Sequence, residues 1–474
     1  MKEDKNKKLG ISLLVPLAIG TMIASGIFNS PIDLIETANP LAVIISWVIG
    51  VTGVIMIGIV FYMLSNKRPE LKGGIYSYAK TGYGDFVGFN SAWGYWTSSL
   101  LGNMAFIFLI FKTINSLIGD NYFMPPIYSF IFGSILLWFY YFLIKRGIKE
   151  AGKLNLVITI AKIIPLILVI VLGMLVFSTD IFNVPNWQTI LASNGKEVTL
   201  GKQISDSMGS ILWCFVGVEG LVVLSDRAKS QNAVAKSTII ALIVTAMLYM
   251  LISVISMGVL PANELLSAQT PLALVLSKTA LGDAGGMIVK LGILISLLGA
   301  LLCWNLITTE ILYLPAKQDN LMPKWFKKVN DKNVPVNALL FSMVASQLIL
   351  LGMLSPALQK GYYIVTHIAT TNILIPYLLS SMFALKTFKN EKNCIKEKAV
   401  CILACIYSTY VIYAAGVAYL ALAFIMYATG IGFYIKAKKE KQQSIESKEK
   451  MAMIVMVIIA IIMIIAIAMG KVSV

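Results

Sequence analysis

Long apolar runs separated by short polar segments extend over most of the sequence, from residue 11 to the C-terminal end. An α-helix needs about 20 apolar residues to cross the hydrocarbon core of a bilayer, and most of these runs reach that length. The run over 399–435 is too long for one crossing, and Gly416 provides its corner. The pattern predicts an all-α polytopic membrane protein with thirteen spans, near 11–36, 41–64, 86–117, 124–144, 155–178, 206–225, 237–260, 286–315, 336–355, 361–385, 399–415, 417–435 and 452–469.

The first span is interrupted in the middle, where a membrane helix should be most regular. It contains Gly20, Ser25, Gly26 and Pro31, and glycine and proline weaken helices. Non-helical backbone at membrane depth survives only where it is buried in protein or lines a cavity. We predict two half-helices that meet at Met22–Gly26, with the amides of the second half directed at a bound anion. Close packing of small residues between helices is the alternative explanation.

The sixth span repeats this interruption, with Gly217, Glu219 and Gly220 at mid-membrane depth. The two interrupted spans are five crossings apart, so they run in opposite directions through the membrane. Inverted repeats with paired broken helices are typical of one class of secondary transporter. We therefore expect a 5+5 inverted-repeat core, divided as a cytoplasmic N-terminus 1–8, a first repeat 9–178, a second repeat 206–385 and accessory spans in 386–474.

Charge is distributed asymmetrically between the two sides of the predicted membrane. Of the 39 Lys and Arg residues, 31 lie in alternate segments that begin with the N-terminus, and only 5 lie on the opposite side. This asymmetry follows the positive-inside rule, and it places the N-terminus in the cytoplasm and the C-terminus outside. The net charge of +16 is explained by this topology, so we do not expect nucleic acid as a partner. The five cysteines and single histidine form no metal-binding spacing, and no phosphate loop appears, so no cofactor is expected.

Polar side chains inside the spans are the candidates for chemistry. In span 3, Tyr95, Ser99 and Asn103 recur every four residues on one helix face, beside Ser98. Lys162 lies eight to ten residues inside span 5, and a charge at that depth usually has a function, although it could also reach the membrane surface. Further polar positions in spans 6, 8 and 10 include Glu219, Trp304, Glu310, Thr366 and His367. The segment 67–80 between spans 2 and 3 contains turn residues and reads as a loop with tyrosines at the membrane interface.

Several of these motifs resemble the amino acid–polyamine–organocation superfamily. Ala24-Ser25-Gly26 in span 1 resembles its glycine-serine-glycine substrate motif, and Trp213 to Glu219 resembles the basic amino acid/polyamine antiporter branch. Trp304 to Glu310 and the following Ala316 to Pro323 agree with that branch. The resemblance covers about residues 9–435, and the thirteenth span is similar to the arginine–ornithine antiporter subgroup.

The resemblance implies a role for each matching residue. It implies that unwound backbone in span 1 holds the substrate carboxylate, here at Met22, Ile23, Ala24, Ser25 and Gly26. Ala24 departs from the family glycine, which reduces backbone freedom there. The remaining substrate contacts implied are carbonyls near Trp213 and Val216 for the α-amino group, Trp213 for cation stacking, Ser98, Ser99 and Asn103 for the side-chain path, and Thr366 and His367 for polar contacts.

The resemblance also implies gating and coupling roles. Tyr95 and Trp304 match gates on either side of the site, and Glu219 is expected to govern a conformational step. In sodium-independent relatives a span 5 lysine takes the place of a sodium ion, which is the role expected for Lys162, with Glu310 as a possible counter-charge.

The function expected from the sequence is secondary antiport in the cell membrane, not enzymatic catalysis. The expected exchange is L-arginine for L-ornithine, sodium-independent and with no cofactor. The expected protein is multi-pass, with the lipid bilayer and a homodimer as its partners. The alternatives are exchange of arginine, lysine or histidine for its decarboxylation product, and proton-coupled amino acid uptake. A transport-inactive amino acid sensor and an ion channel are rivals from other classes.

Overall fold

The computed structural model describes residues 10–71, 73–119, 122–147, 151–183, 198–220, 228–354 and 361–469. These residues fold almost entirely into helices, so the predicted all-α class is confirmed. The helices of the first half are α1 Ile11–Met22, α2 Gly26–Ile35, α3 Pro40–Lys67, α4 Ile75–Tyr83, α5 Asp85–Ile118, α6 Pro126–Lys145, α7 Ala151–Leu175, α8 Thr179–Phe182 and α9 Leu200–Phe215.

The second half continues the same architecture. Its α-helices are α10 Gln231–Val259, α11 Ala262–Ser267, α12 Pro271–Ser277, α13 Gly282–Asp319, α14 Val336–Leu350, α15 Gly361–Phe388, α16 Ile395–Ala428, α17 Ile431–Glu440 and α18 Ser447–Ala468. Two short 3₁₀ helices flank α14, at Lys324–Lys327 and Leu351–Leu354.

The long helices fit the predicted membrane spans closely. Within the described residues, nine helices are long and apolar enough to cross a bilayer, and the bent pair α1 and α2 makes a tenth candidate. Gly416, the predicted corner, has φ 79° and interrupts α16 with non-helical backbone. The count of thirteen spans and the inverted repeat stay predictions.

One segment differs from the sequence expectation. The chain after Gly74 is helical over α4, and Tyr76 and Tyr78 are buried. The Tyr76 hydroxyl donates to Gln318 Oε1 at 2.9 Å, which ties α4 to the end of α13. Interface tyrosines and packed tyrosines look alike in a sequence, so the packing of this segment was not predictable.

The interrupted α1 and α2 lie at the centre of the helix assembly. α1 packs against α7 and α10, α2 packs against α9, and α13 and α15 both pack on α5. At the periphery, α18 packs on α16 and exposes most of its apolar residues, as a helix that faces lipid would.

Helix α3 approaches α16 through a glycine. A Cβ atom built on Gly53 would lie 2.2 Å from the ring of Tyr407, which is itself buried. Such overpacking costs about 1–3 kcal/mol. Gly432 in α17 has nothing within 4 Å of the same position, so it offers a matched control.

We predict that Gly53→Ala lowers the midpoint of thermal unfolding in detergent, because the added methyl group pushes α3 away from Tyr407. Gly432→Ala should leave the midpoint unchanged or slightly raised, since alanine favours a helix by about 1 kcal/mol over glycine. Equal midpoints for the two variants would contradict the close packing of α3 on α16.

Candidate functional site

The predicted break in span 1 is confirmed, and its geometry organises the site. α1 ends at Met22, α2 begins at Gly26, and the two helix axes differ in direction by 41°. Three residues between them, Ile23 to Ser25, are not helical. The break removes the helical amide partners from the last carbonyls of α1, and it leaves the first amides of α2 without helical acceptors.

Side chains from three other helices satisfy the four carbonyls that the break exposes. The Lys162 ammonium on α7 donates to the Gly20 carbonyl at 2.8 Å and to the Ile23 carbonyl at 2.5 Å. Trp304 Nε1 on α13 donates to the Thr21 carbonyl at 3.2 Å. The Tyr249 hydroxyl on α10 donates to the Met22 carbonyl at 2.9 Å.

The backbone amides on the other side of the break, at the start of α2, lack backbone acceptors. Among the described residues, the first backbone amide of α2 with a backbone acceptor is that of Phe28, which donates to the Ser25 carbonyl at 3.2 Å. The amides from Ala24 to Ile27 therefore form the positive end of a helix dipole without a backbone acceptor. This is the arrangement that binds carboxylates and phosphates in proteins.

The second break lies against the first. α9 ends at Phe215, and Gly217 has φ 113°, a conformation that favours glycine. A Cβ on Gly217 would lie 2.7 Å from the Thr21 carbonyl oxygen, while the Thr21 hydroxyl donates to the Gly217 carbonyl at 3.1 Å. Reciprocally, a Cβ on Gly26 would lie 2.9 Å from the Cα of Cys214. Each break thus approaches the other through a glycine.

Glu219 is completely buried beside this contact. Its Oε2 accepts from the Gly217 amide at 3.1 Å and from the Tyr377 hydroxyl on α15. The Tyr95 hydroxyl lies beside this carboxylate, and neither that hydroxyl nor Glu219 Oε1 has another hydrogen-bond partner among the described residues. The second half of span 6, residues 221–227, lies outside the described residues.

A narrow, nearly closed cavity of about 10 Å³, room for about one water molecule, lies between the two breaks and α5. Nine of the residues selected from the sequence line this cavity: Met22, Ala24, Ser25, Gly26, Ser98, Ser99, Trp213, Val216 and Trp304. Gly102 and Phe106 complete the lining, and the sequence reasoning did not select them.

Trp213 closes the cavity on the side of α2 and the beginning of α15. Its Nε1 lies 3.3 Å from the Ser25 hydroxyl and 3.3 Å from the Tyr362 hydroxyl. Tyr362 was not selected from the sequence, and it takes the place in span 10 that was expected for Thr366 and His367. The only sequence signal for Tyr362 was its position one helical turn before Thr366.

Several buried polar atoms around the cavity have no hydrogen-bond partner among the described residues. They include the hydroxyl oxygens of Ser98 and Ser99. Asn103 donates through Nδ2 to Asn305 Oδ1 at 3.1 Å and to the Thr308 hydroxyl at 3.2 Å, but its own Oδ1 has no partner. Leaving buried polar atoms unpaired is costly, so these atoms indicate a polar ligand.

Eight of the predicted residues lie outside the cavity lining: Ile23, Tyr95, Asn103, Lys162, Glu219, Glu310, Thr366 and His367. The Thr366 hydroxyl and His367 Nδ1 both hydrogen-bond to the Tyr363 carbonyl of their own helix. Glu310 lies seven residues beyond Cys303, the α13 residue that lies near Lys162. Seven residues span about 10 Å along a helix, so the counter-charge role of Glu310 stays a prediction.

Comparison with known protein sequences identifies the family of this chain. Residues 9–460 match the amino acid permease family. An arginine/ornithine antiporter of Pseudomonas aeruginosa is 36% identical over 462 residues, which cover 94% of each chain. An arginine/ornithine antiporter of Latilactobacillus sakei is 34% identical over 93% of this chain and 92% of its own, and a putative arginine/ornithine antiporter of Escherichia coli is 33% identical over 91% and 93%. The chain described here belongs to the amino acid permease family.

Proposed function

We propose that this protein exchanges L-arginine for L-ornithine across the cell membrane by alternating access. Relatives that share a third or more of their residues over nearly the whole chain carry the name arginine/ornithine antiporter. The single structural observation that supports the proposal most is the set of amides at the start of α2, which faces a cavity lined by unpaired polar atoms.

The substrate carboxylate binds at the amides between Ala24 and Ile27, beside the Ser25 hydroxyl. These amides need an acceptor, and the dipole of α2 favours a negative charge at this position. Every α-amino acid carries that carboxylate, so this contact holds any substrate and does not select one. The carbonyls near Trp213 and Val216 receive the α-amino group.

The cationic end of the substrate meets aromatic rings and neutral polar groups. None of the eleven described residues that line the cavity carries a charge. A guanidinium or ammonium group over the face of a tryptophan gains about 1–2 kcal/mol or more when it is desolvated, and Trp213 and Trp304 supply such faces. The Ser98 and Ser99 hydroxyls and the Asn103 carbonyl oxygen are available as acceptors for the donors of the side chain.

A neutral cavity suits exchange between two substrates of equal charge. Arginine and ornithine both carry a net charge of +1 near neutral pH, so one-for-one exchange is electroneutral and needs no ion gradient. Lys162 supplies a fixed positive charge at the span 1 break, where its contacts replace those of a bound cation. We therefore propose that exchange is independent of sodium.

The topology proposed from charge places the N-terminus in the cytoplasm and the C-terminus outside. The outer face then contains the end of α2 and the beginnings of α9 and α15, and the cytoplasmic face contains α4 and the end of α13. The cavity is closed from outside by Trp213 and Tyr362. On the cytoplasmic side, Tyr76 contacts Gln318, and Lys80 pairs with Asp319. Alternating access requires each of these closures to open in turn, with Glu219, Tyr95 and Tyr377 coupled to the span 6 break.

Counterflow tests the proposed substrates directly. We predict that proteoliposomes loaded with unlabelled ornithine accumulate labelled arginine, and that the reverse loading works as well. Lysine, histidine, agmatine, cadaverine, histamine and alanine complete the panel inside the liposomes. Accumulation driven better by agmatine, cadaverine or histamine than by ornithine would contradict the proposed exchange, and empty liposomes provide the control.

Lys162 tests the proposed coupling. We predict that exchange proceeds at the same rate in sodium and in choline buffers, and that Lys162→Ala and Lys162→Met abolish it, because the Gly20 and Ile23 carbonyls lose their charge-assisted donor. Lys278→Ala is the control, since Lys278 pairs with Glu264 on the exposed surface. Exchange that requires sodium, or that survives in folded, monodisperse Lys162 variants, would contradict this role.

A further inference from the structure

Three polar side chains linked by hydrogen bonds lie beyond Trp213, toward the proposed outer face. Asn29 Nδ2 on α2 donates to Asp33 Oδ1 at 2.6 Å, and the Lys112 ammonium on α5 donates to Asn29 Oδ1 at 3.1 Å. Asp33 is only 6% exposed and Asn29 only 3%. These three residues connect the broken span 1 to span 3, the two spans that provide most of the cavity lining.

Asp33 lies on the same face of α2 as the cavity-lining Gly26, nearer to the outer end of the helix. Gly26, Asn29 and Asp33 are spaced by three and four residues, so they lie on one face of α2. Gly26 lines the cavity, and seven residues cover about 10 Å along a helix. The Asp33 carboxylate therefore lies about two helical turns above the cavity, between it and the outer end of α2.

Groups that suit a cation converge at this level from other helices. The carboxylates of Asp33, Glu36 and Asp206 lie near the Tyr363 hydroxyl on α15, and Asp206 also pairs with Lys202. The Tyr363 ring packs on the His367 ring with centroids 3.8 Å apart, and His367 packs on Tyr419 at 5.1 Å. Carboxylates beside aromatic faces are a favourable environment for a guanidinium or ammonium group.

One atom in this region has an unfilled hydrogen-bonding position. His367 is only 7% exposed, and its Nε2 has no hydrogen-bond partner among the described residues. This nitrogen faces Gly209 of α9, one helical turn from Asp206. Leaving a buried nitrogen unpaired is costly, so we expect a polar partner for His367 Nε2 at this level.

Lys112 already places an ammonium group beside these carboxylates. Its charge interacts with both Asp33 and Glu36, yet its hydrogen bond goes to Asn29 and not to Asp33 itself. A buried carboxylate is stable only when it is compensated, and removing the partner of a buried charge is strongly destabilising. The Lys112 ammonium thus resembles, in charge and chemistry, the cationic group of the proposed substrates.

We propose that Asp33 is a specificity-determining residue for substrates that enter from the outer face. Its carboxylate receives the guanidinium or ammonium group of an incoming amino acid above the cavity, and Lys112 compensates that carboxylate when no substrate is there. This inference rests on the proposed function, because it requires a cationic substrate. It explains how a cavity with neutral lining can discriminate between cationic and neutral amino acids, since selection takes place before the substrate reaches the cavity.

The test uses right-side-out vesicles loaded with saturating ornithine and measures uptake of labelled external arginine. Asp33→Asn should raise the external KM for arginine at least tenfold and change the maximal rate less than twofold. Lys112→Gln should lower the external KM, since the competing internal ammonium is gone. Asp33→Glu keeps the charge and should give a KM near that of the native protein. In inside-out vesicles, the KM for arginine at the cytoplasmic face should not change in any variant.

The double variant Asp33→Asn with Lys112→Gln separates this role from a purely structural polar network through Asn29. It removes both charges, so it also keeps the proposal testable if either single variant does not fold. The proposal predicts the same raised external KM as in Asp33→Asn. A double variant with the native external KM, or a KM raised equally at both faces, would overturn the proposal and leave Asp33 and Lys112 as members of that structural network.

Competition by external citrulline, a neutral analogue of arginine, provides a second readout. The native protein should prefer arginine to citrulline more strongly than Asp33→Asn does, and unchanged discrimination would contradict the proposal. Counterflow by the native protein distinguishes a failure of the proposed exchange from a failure of the proposed role of Asp33. If arginine does not exchange for ornithine, the proposed function fails; if it does and the Asp33 variants keep the native KM, only this inference fails.

Discussion

Backbone carbonyls at membrane depth must have hydrogen-bond donors, and this requirement determines how the centre of the molecule is built. Breaking span 1 releases the carbonyls of residues 20 to 23. Lys162, Trp304 and Tyr249 provide four hydrogen bonds to them, from three different helices. The break is therefore stable only when α7, α10 and α13 are packed around α1. The same contacts leave the amides of the following turn for a substrate.

The two breaks also depend on each other. Gly26 lets α2 approach the backbone at Cys214, and Gly217 lets the turn after α9 approach the Thr21 carbonyl. A movement of either half-helix must move the other, because backbone atoms and not flexible side chains form the contact. This coupling suits alternating access, in which a ligand bound at one break has to change the packing of the whole centre.

The features that could be predicted from the sequence are those where a residue type is unusual for a membrane helix. Glycine and serine in the middle of an apolar run indicated the span 1 break, and a lysine inside a span indicated the importance of Lys162. The apolar runs themselves predicted most helix positions, and Gly416 predicted the interruption of α16. Tyr249, Tyr362 and Tyr377 were missed because a tyrosine in an apolar span is ordinary, and only the three-dimensional packing shows which carbonyl, indole or carboxylate it meets. Thr366 and His367 were placed on the correct helix but one turn away from the cavity.

We infer that the amides at the beginning of α2 bind the substrate carboxylate while Lys162 holds the preceding carbonyls. An arginine-bound structure determined by electron cryo-microscopy in lipid nanodiscs would show both contacts. We expect carboxylate density within hydrogen-bond distance of the Ser25 and Gly26 amides, with the Lys162 ammonium still on the Gly20 and Ile23 carbonyls. Arginine density away from these amides, or a carboxylate bound directly by Lys162, would contradict it.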